Sequence, residues 1–184
     1  MPSYHSSFHG GYQKACDLSL ITFENKGKPN LDGKLIKAKD KSIDIIDEAI
    51  AFFRANVLFK SFSIKTDGDK TLVYLEVFIA KILSSIENVY TDKKKSKELM
   101  YNLISECEWG PNVKNHFLNT ILEIKQNEVA ELSSYLKSIR EETVNRMFYL
   151  LFEAPGCTLD IKYWMAYSRK SFLGYKMPQV KKFN

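Results

Sequence analysis

Three histidines (His5, His9, His116) and three cysteines (Cys16, Cys107, Cys157) are the side chains that could act as nucleophile, general base or soft metal ligand. A nucleophile and its base need a histidine beside a serine or cysteine, oriented by a carboxylate. Two of the histidines lie in the glycine-bearing first residues, and no G-x-S-x-G elbow accompanies them. His5 and His9 are spaced i, i+4, but Gly10 and Gly11 follow at once and no H-E-x-x-H exists. The cysteines form neither a C-x-x-C pair nor a zinc spacing, and read as free thiols of a reducing compartment. No G-x-x-x-x-G-K-[ST] or G-x-G-x-x-G offers a phosphate cradle. Asp67-Gly68-Asp69 resembles a fragment of a calcium loop, without the other ligands, and reads as a turn with a helix cap. Asp44 and Asp47 share one helical face and read as helix-start acids rather than a catalytic pair. The residues therefore point to no enzyme, no cofactor and no metal.

The ends carry more signal. Residues 162 to 177 interleave Tyr163, Trp164, Tyr167, Phe172 and Tyr175 with Lys162, Arg169, Lys170 and Lys176. Aromatics and arginine are enriched at protein interfaces, and the same mixture can stack bases. It can equally be a terminal helix docking on its own core. The first residues are polar and aromatic by turns, with Tyr4, Phe8 and Tyr12 at fourfold spacing.

These ends need a body to hold them. Residues 71 to 83, TLVYLEVFIAKIL, hold ten apolar side chains in thirteen positions, pointing nearly all round a helix axis. A helix apolar all round is a buried one. The periodicity continues through Ile82, Leu83, Ile86 and Val89, too long for an ordinary strand and too short for a bilayer span. Before it, Ile43, Ile46, Ile50, Phe53 and Val57 make one stripe, capped by Ser42 or Asp44 and stopping near Lys60, with Asp69 placed to cap the next helix. LSLITF (18 to 23) reads as a short extended piece and residues 24 to 41 as a long loop. Ser96 caps a helix carrying Leu99, Met100, Leu103 and Ile104, broken by Trp109-Gly110-Pro111. A short helix is placed at 113 to 124. From Asn127 to Phe152 one narrow apolar face runs opposite Glu131, Lys137, Arg140, Glu141 and Arg146, ending at Ala154-Pro155-Gly156. A last helix runs from about Asp160 to Phe172. The sum is an all-α fold of five or six helices, with one hydrophobic central helix (71 to 90) surrounded by the others.

The 184 residues suffice for one domain, and no Gly-, Ser- or Pro-rich linker divides them. We expect a single helical domain over 1–184, with an N-terminal arm to about 41 and a tail from about 174. No secretory leader is read at the start, and cytosol is the default location. The net charge of +5, from 27 basic and 22 acidic residues, is a mild excess. Lysines cluster at Lys34, Lys37, Lys39 and Lys41 and at Lys93, Lys94, Lys95 and Lys97, each with the composition of a solvated loop. A small basic helical nucleic-acid-binding module is the alternative reading these clusters allow.

Several stretches together resemble the subunit 3 family of the actin-related protein 2/3 complex. They are Tyr4-His5-Ser6-Ser7, residues 44 to 50 (DIIDEAI), Ala55-Asn56-Val57 with Phe59-Lys60, and Thr71-Leu72-Val73-Tyr74. Tyr135-Leu136 with Arg140-Glu141-Glu142-Thr143, and Lys162-Tyr163-Trp164 with Arg169-Lys170 and Phe172, are similar to that family's late helices. Residues 84 to 127 and those after Leu173 match poorly, and Trp109-Gly110-Pro111 stands where the family is Pro-rich. The resemblance implies an all-helical, non-catalytic subunit of an assembly that nucleates branched actin filaments. It implies contact with other subunits, chiefly actin-related protein 3, and with the filament at the branch junction, with ATP bound elsewhere in the assembly. Neither nucleic acid nor a membrane span is expected, and the location is the cytoplasmic actin cytoskeleton. Tyr4, His5, Phe8, Trp164, Arg169 and Lys170 are the candidate partner-binding residues, on polar-aromatic ends that the core does not obviously need.

Overall fold

A computed structural model describes residues 4–30, 43–105 and 116–175. The first lysine cluster, Ser42, Cys107, Trp109-Gly110-Pro111, Val113 and the tail beyond Tyr175 lie outside the described residues. Among those described, the chain is mostly helical. It has α1 (Ile45–Asn56), α2 (Asp69–Ile86), α3 (Lys93–Ser105), α4 (Leu118–Ile121), α5 (Val129–Phe152) and α6 (Cys157–Met165). A two-stranded antiparallel ribbon, β1 (Lys14–Ala15) and β2 (Leu18–Ser19), qualifies the all-α expectation, and a 3-10 turn spans Phe172–Gly174. No described helix is long and apolar enough to cross a membrane.

Asp44 starts α1 with a reciprocal cap. Its carboxylate accepts from the Ile46 and Asp47 amides at 3.1 Å each, and the Asp47 carboxylate accepts from the Asp44 amide at 3.4 Å. The helix stops at Asn56 rather than near Lys60, because the chain tightens there into a turn closed by Phe59 N–H on the Asn56 carbonyl at 2.9 Å. α2 buries every residue from Thr71 to Leu83 and packs against α1, α3 and α5. Asp69 is its first residue rather than its cap; Gly68 precedes it with no side-chain cap.

Four further expectations are corrected. Lys93–Lys97 is not a loop but the opening of α3, because Asp92 accepts from the Lys95 amide at 3.0 Å and so caps it. Ser96 therefore lies inside the helix, its hydroxyl donating to the Val89 carbonyl at 3.0 Å. Among the described residues of the 113 to 124 run, the helix comprises the four residues of α4. The last helix ends at Met165, not Phe172. Tight turns follow, with Leu173 at φ 55°, and they set the buried Phe172 ring 5.7 Å from that of Phe62.

α5 spans about 36 Å at 1.5 Å per residue and departs most from the sequence reading. Arg140 and Arg146, placed on the polar face, are buried at 6% and 0% exposure. Arg140 donates to the Tyr74 hydroxyl at 2.9 Å and the Ile104 carbonyl at 3.2 Å. Arg146 uses all five of its N–H donors. Nε donates to Glu142 at 2.7 Å, Nη1 to Asp44 at 2.6 Å and Asp47 at 2.8 Å, and Nη2 to Asp44 at 2.7 Å and the Glu24 carbonyl at 2.6 Å. The same carboxylates hold residues 24–30. Glu142 accepts from the Lys26 and Gly27 amides at 3.0 and 2.9 Å, and Asp47 accepts from the Asn30 amide at 3.0 Å and the Lys26 ammonium at 2.7 Å. Burial raises the Asp44 carboxyl, but the Arg146 hydrogen bonds and charge outweigh it, and the net value lies below the ordinary range.

Removing Arg146 leaves three buried carboxylates facing each other. Arg146→Met is expected to lose about 3–5 kcal/mol of unfolding free energy by urea titration, the magnitude for breaking a buried ion pair from one side. A loss below about 1 kcal/mol would show that the three carboxylates do not depend on Arg146 for compensation.

Candidate partner-binding surface

The first described residues lie extended across α1, from Asn56 back to Glu48, and over the start of α2. An extended segment with no strand beside it must find partners for its amides elsewhere. Here side chains supply them. The Asn56 amide clasps Tyr4, its Oδ1 accepting from Tyr4 N–H and its Nδ2 donating to Tyr4 C=O, both at 2.9 Å. Asp69 accepts from the Ser6 amide at 2.8 Å, from His5 Nδ1 at 2.9 Å, and from the Lys65 and Thr66 amides at 2.7 and 3.0 Å. Glu48 accepts from the Ser7 amide at 2.8 Å. Phe8 C=O accepts from Gly68 N–H at 3.1 Å. Burial would raise Asp69, but the amide bonds from Lys65 and Ser6 outweigh it and its carboxyl sits below the ordinary range.

Gly68 marks the closest approach. A Cβ there would lie 2.9 Å from Ser6 Cβ and 3.0 Å from the Phe8 carbonyl oxygen. The chain folds with glycine here because the arm passes over it.

The arm is thus not surplus to the core. Tyr4 is 42% exposed, its ring stacked on Phe52 at 5.1 Å. His5 lies 4.7 Å from Phe62, ring to ring. Phe8 packs partly buried against the core and edge-on to Tyr12. At the other end Trp164 is 4% exposed and stacks on Phe53 at 6.0 Å, so its ring serves the fold. Arg169 and Lys170 are exposed, and Arg169 bonds Glu87 at the end of α2. Phe62 touches both His5 and Phe172, which brings the two ends of the chain to one aromatic junction.

Sequence reading did not single out the pair at the centre of the exposed α1–α6 edge. The Arg54 guanidinium lies 4.9 Å from the Tyr163 ring centre and 5.4 Å from that of Trp164. Tyr163 is 55% exposed, and Leu58, one turn beyond Arg54, is 58% exposed. Nor did it find the clasp residues Glu48, Asn56 and Gly68. The one available signal was the mixed polar composition of an otherwise apolar α1 stripe. Among the described residues no group of acids, histidines or cysteines is arranged to hold a metal.

Gly68→Ala is expected to displace the arm without unfolding the helices. Amide exchange should rise at Ser6, Ser7 and Phe8 while far-ultraviolet circular dichroism stays unchanged. Undiminished protection at those amides would refute the close-approach role.

The P21-Arc family model, described as "ARP2/3 complex ARPC3 (21 kDa) subunit", matches residues 1–177. A relative from Arabidopsis thaliana named "Actin-related protein 2/3 complex subunit 3" is 34% identical over 174 residues, covering 92% of this chain and 96% of its own. A protein of the same name from Entamoeba histolytica is 32% identical, with 93% and 89% covered. Another, from Schizosaccharomyces pombe, is 28% identical, with 94% and 98% covered. With family match and relatives spanning nearly its whole length, the chain belongs to the P21-Arc family of ARP2/3 complex ARPC3 subunits.

Proposed function

We propose that this chain is a non-catalytic scaffold within an actin-related protein 2/3 assembly, supporting nucleation of branched actin filaments in the cytoplasmic actin cytoskeleton. Its partners are other subunits, chiefly actin-related protein 3, and the filament at the branch junction. The observation that carries the reading is the family match over residues 1–177. The structure is compatible with a rigid spacer. α2 would be the central rod, with the burial of residues 71–83 in support. We read residues 1–184 as one domain, with the arm to about 41 and a tail from about 174. In support, the described arm residues are pinned to α1 and α2.

Within the six residues named from the sequence, the exposed ones are the better contact candidates. Tyr4, Arg169 and Lys170 present cationic and aromatic surface, and Arg54 of α1 over Tyr163 of α6 adds a second such contact. His5, Phe8 and Trp164 would act through the shape they give these neighbours. Within the second lysine cluster, Lys93 and Lys97 lie 5.4 and 5.3 Å from the Phe148 ring and Lys93 pairs with Glu153 at 3.2 Å, while all four lysines stay exposed, so the nucleic-acid alternative keeps only a short basic stretch at the start of α3 in its support.

The double change Arg169→Glu with Lys170→Glu is expected to weaken recovery of the other subunits on affinity purification about tenfold or more, at unchanged thermal stability. Trp164→Ala should instead cost about 3–5 kcal/mol of folding stability, the range for emptying a buried aromatic site. Unchanged co-purification of the double variant would remove these residues from the interface. Elution of the native chain from a lysate as a lone small protein would overturn the subunit reading itself.

A further inference from the structure

Beneath the arm lies an enclosure that the scaffold reading does not use. Glu48 of α1 and Glu76 of α2 are both 0% exposed, as is Asp69. Each glutamate has one oxygen engaged: Glu48 Oε1 accepts from Ser7 N–H at 2.8 Å, and Glu76 Oε1 accepts from Asn56 Nδ2 at 2.7 Å. The other oxygen of each, Glu48 Oε2 and Glu76 Oε2, is buried without a hydrogen-bond partner. A buried carboxylate with an empty acceptor is costly, whereas a carboxylic acid needs fewer donors. Asn56 links the enclosure to the arm, because the Nδ2 that reaches Glu76 also holds Tyr4 C=O.

We propose that residues 4–8 form a proton-dependent latch. With a proton held on the Glu48–Glu76 pair the arm is closed over α1 and α2; when that proton leaves to solvent, three buried anions face one another and the arm lifts to let water reach them, the helices staying folded.

The surroundings fit. The charged groups acting on Glu76 are Glu48 from α1 and Asp69 from α2, both of its own sign. From the arm, His5 faces Asp69, and the Ser6 and Ser7 side chains face Glu48. From α5, Arg140 is committed to Tyr74 and Arg146 to Asp44, Asp47 and Glu142, and at the start of α2 Lys70 pairs with Asp17. Burial, then the charges of Glu48 and Asp69, push Glu76 well above the carboxylate range, against the Asn56 bond. Burial also raises Glu48, with the Ser7 amide drawing it back. The sign follows. A group raised in the closed state favours closure while it is protonated, and that contribution is lost as pH rises through its folded value. Asp69, which is lowered, has the opposite sign and fails only on the acid side. The arm therefore opens toward alkaline pH by a route separate from acid unfolding.

The test is amide hydrogen exchange of residues 4–10 in the full chain from about pH 6 to about pH 9, each rate divided by that of an unstructured peptide at the same pH. Release of one proton on opening predicts protection falling by up to about tenfold per pH unit as pH rises toward the closed-state value and levelling above it, with α1 and α2 amides unaffected. In Glu76→Gln, which keeps the acceptor for Asn56, protection should be flat with pH. A pH-independent wild type would overturn the proposal. So would a Glu76→Gln variant that keeps the dependence. Carbon-13 NMR of the glutamate carboxyls in the unmutated chain reads the same group without a variant. One resonance should titrate well above the ordinary glutamate value of about 4.3, and titration of all of them near it would refute the latch.

Discussion

Arg146 fixes the geometry on which the rest of the body depends. A guanidinium at 0% exposure is tolerable only if every donor is matched, and here each of the five finds an oxygen. Those oxygens come from the N-terminus of α1, from α5 itself and from the backbone at Glu24. One side chain thereby sets where α1 begins, how α5 lies against it and where the chain enters from the N-terminal side. Asp44 caps α1 and is held in that orientation, because both of its oxygens are also bonded by Arg146.

The same device recurs at the arm. Residues 4–8 and 24–30 have no neighbouring strand, so their amides are met by Asp69 and Glu48 in the first case and by Glu142, Asp47 and Asp44 in the second. Carboxylates on the body replace a sheet. The two sites differ in compensation. At Arg146 two cations, Arg146 and Lys26, answer three anions. At Glu48, Glu76 and Asp69 the basic side chain paired with the cluster among the described residues is His5, on Asp69. That difference makes the first site a lock and the second a candidate for change. For a scaffold in an ARP2/3 assembly the distinction is useful, since the body must be stiff while a terminal segment can respond to conditions or neighbours.

Much of the fold was legible because apolar periodicity is a local signal. The burial of residues 71–83, the long α5 and the cap at Asp44 followed from runs of neighbouring residues. The candidate site was legible only in part. Arg169 and Lys170 stand exposed, but Trp164 faces Phe53 inside the chain, and the arm's polar residues are used by the body. A tryptophan beside lysines and arginines reads the same in sequence whether its ring meets a partner or its own core. The Arg54–Tyr163 contact joins residues far apart in the chain and leaves no trace in either segment alone.

What the sequence by itself determined is which segments are helical and which family the residues resemble, since helical period, capping and turn chemistry act over a few positions. What only the tertiary structure decided is the fate of the polar groups. Arg140 and Arg146 occupy helix positions that pattern alone assigns to water, and Gly68 is a glycine because of Ser6 and Phe8, far earlier in the chain. A buried charge is permitted by the partners that long-range packing brings to it, and those partners are visible only once the chain has folded.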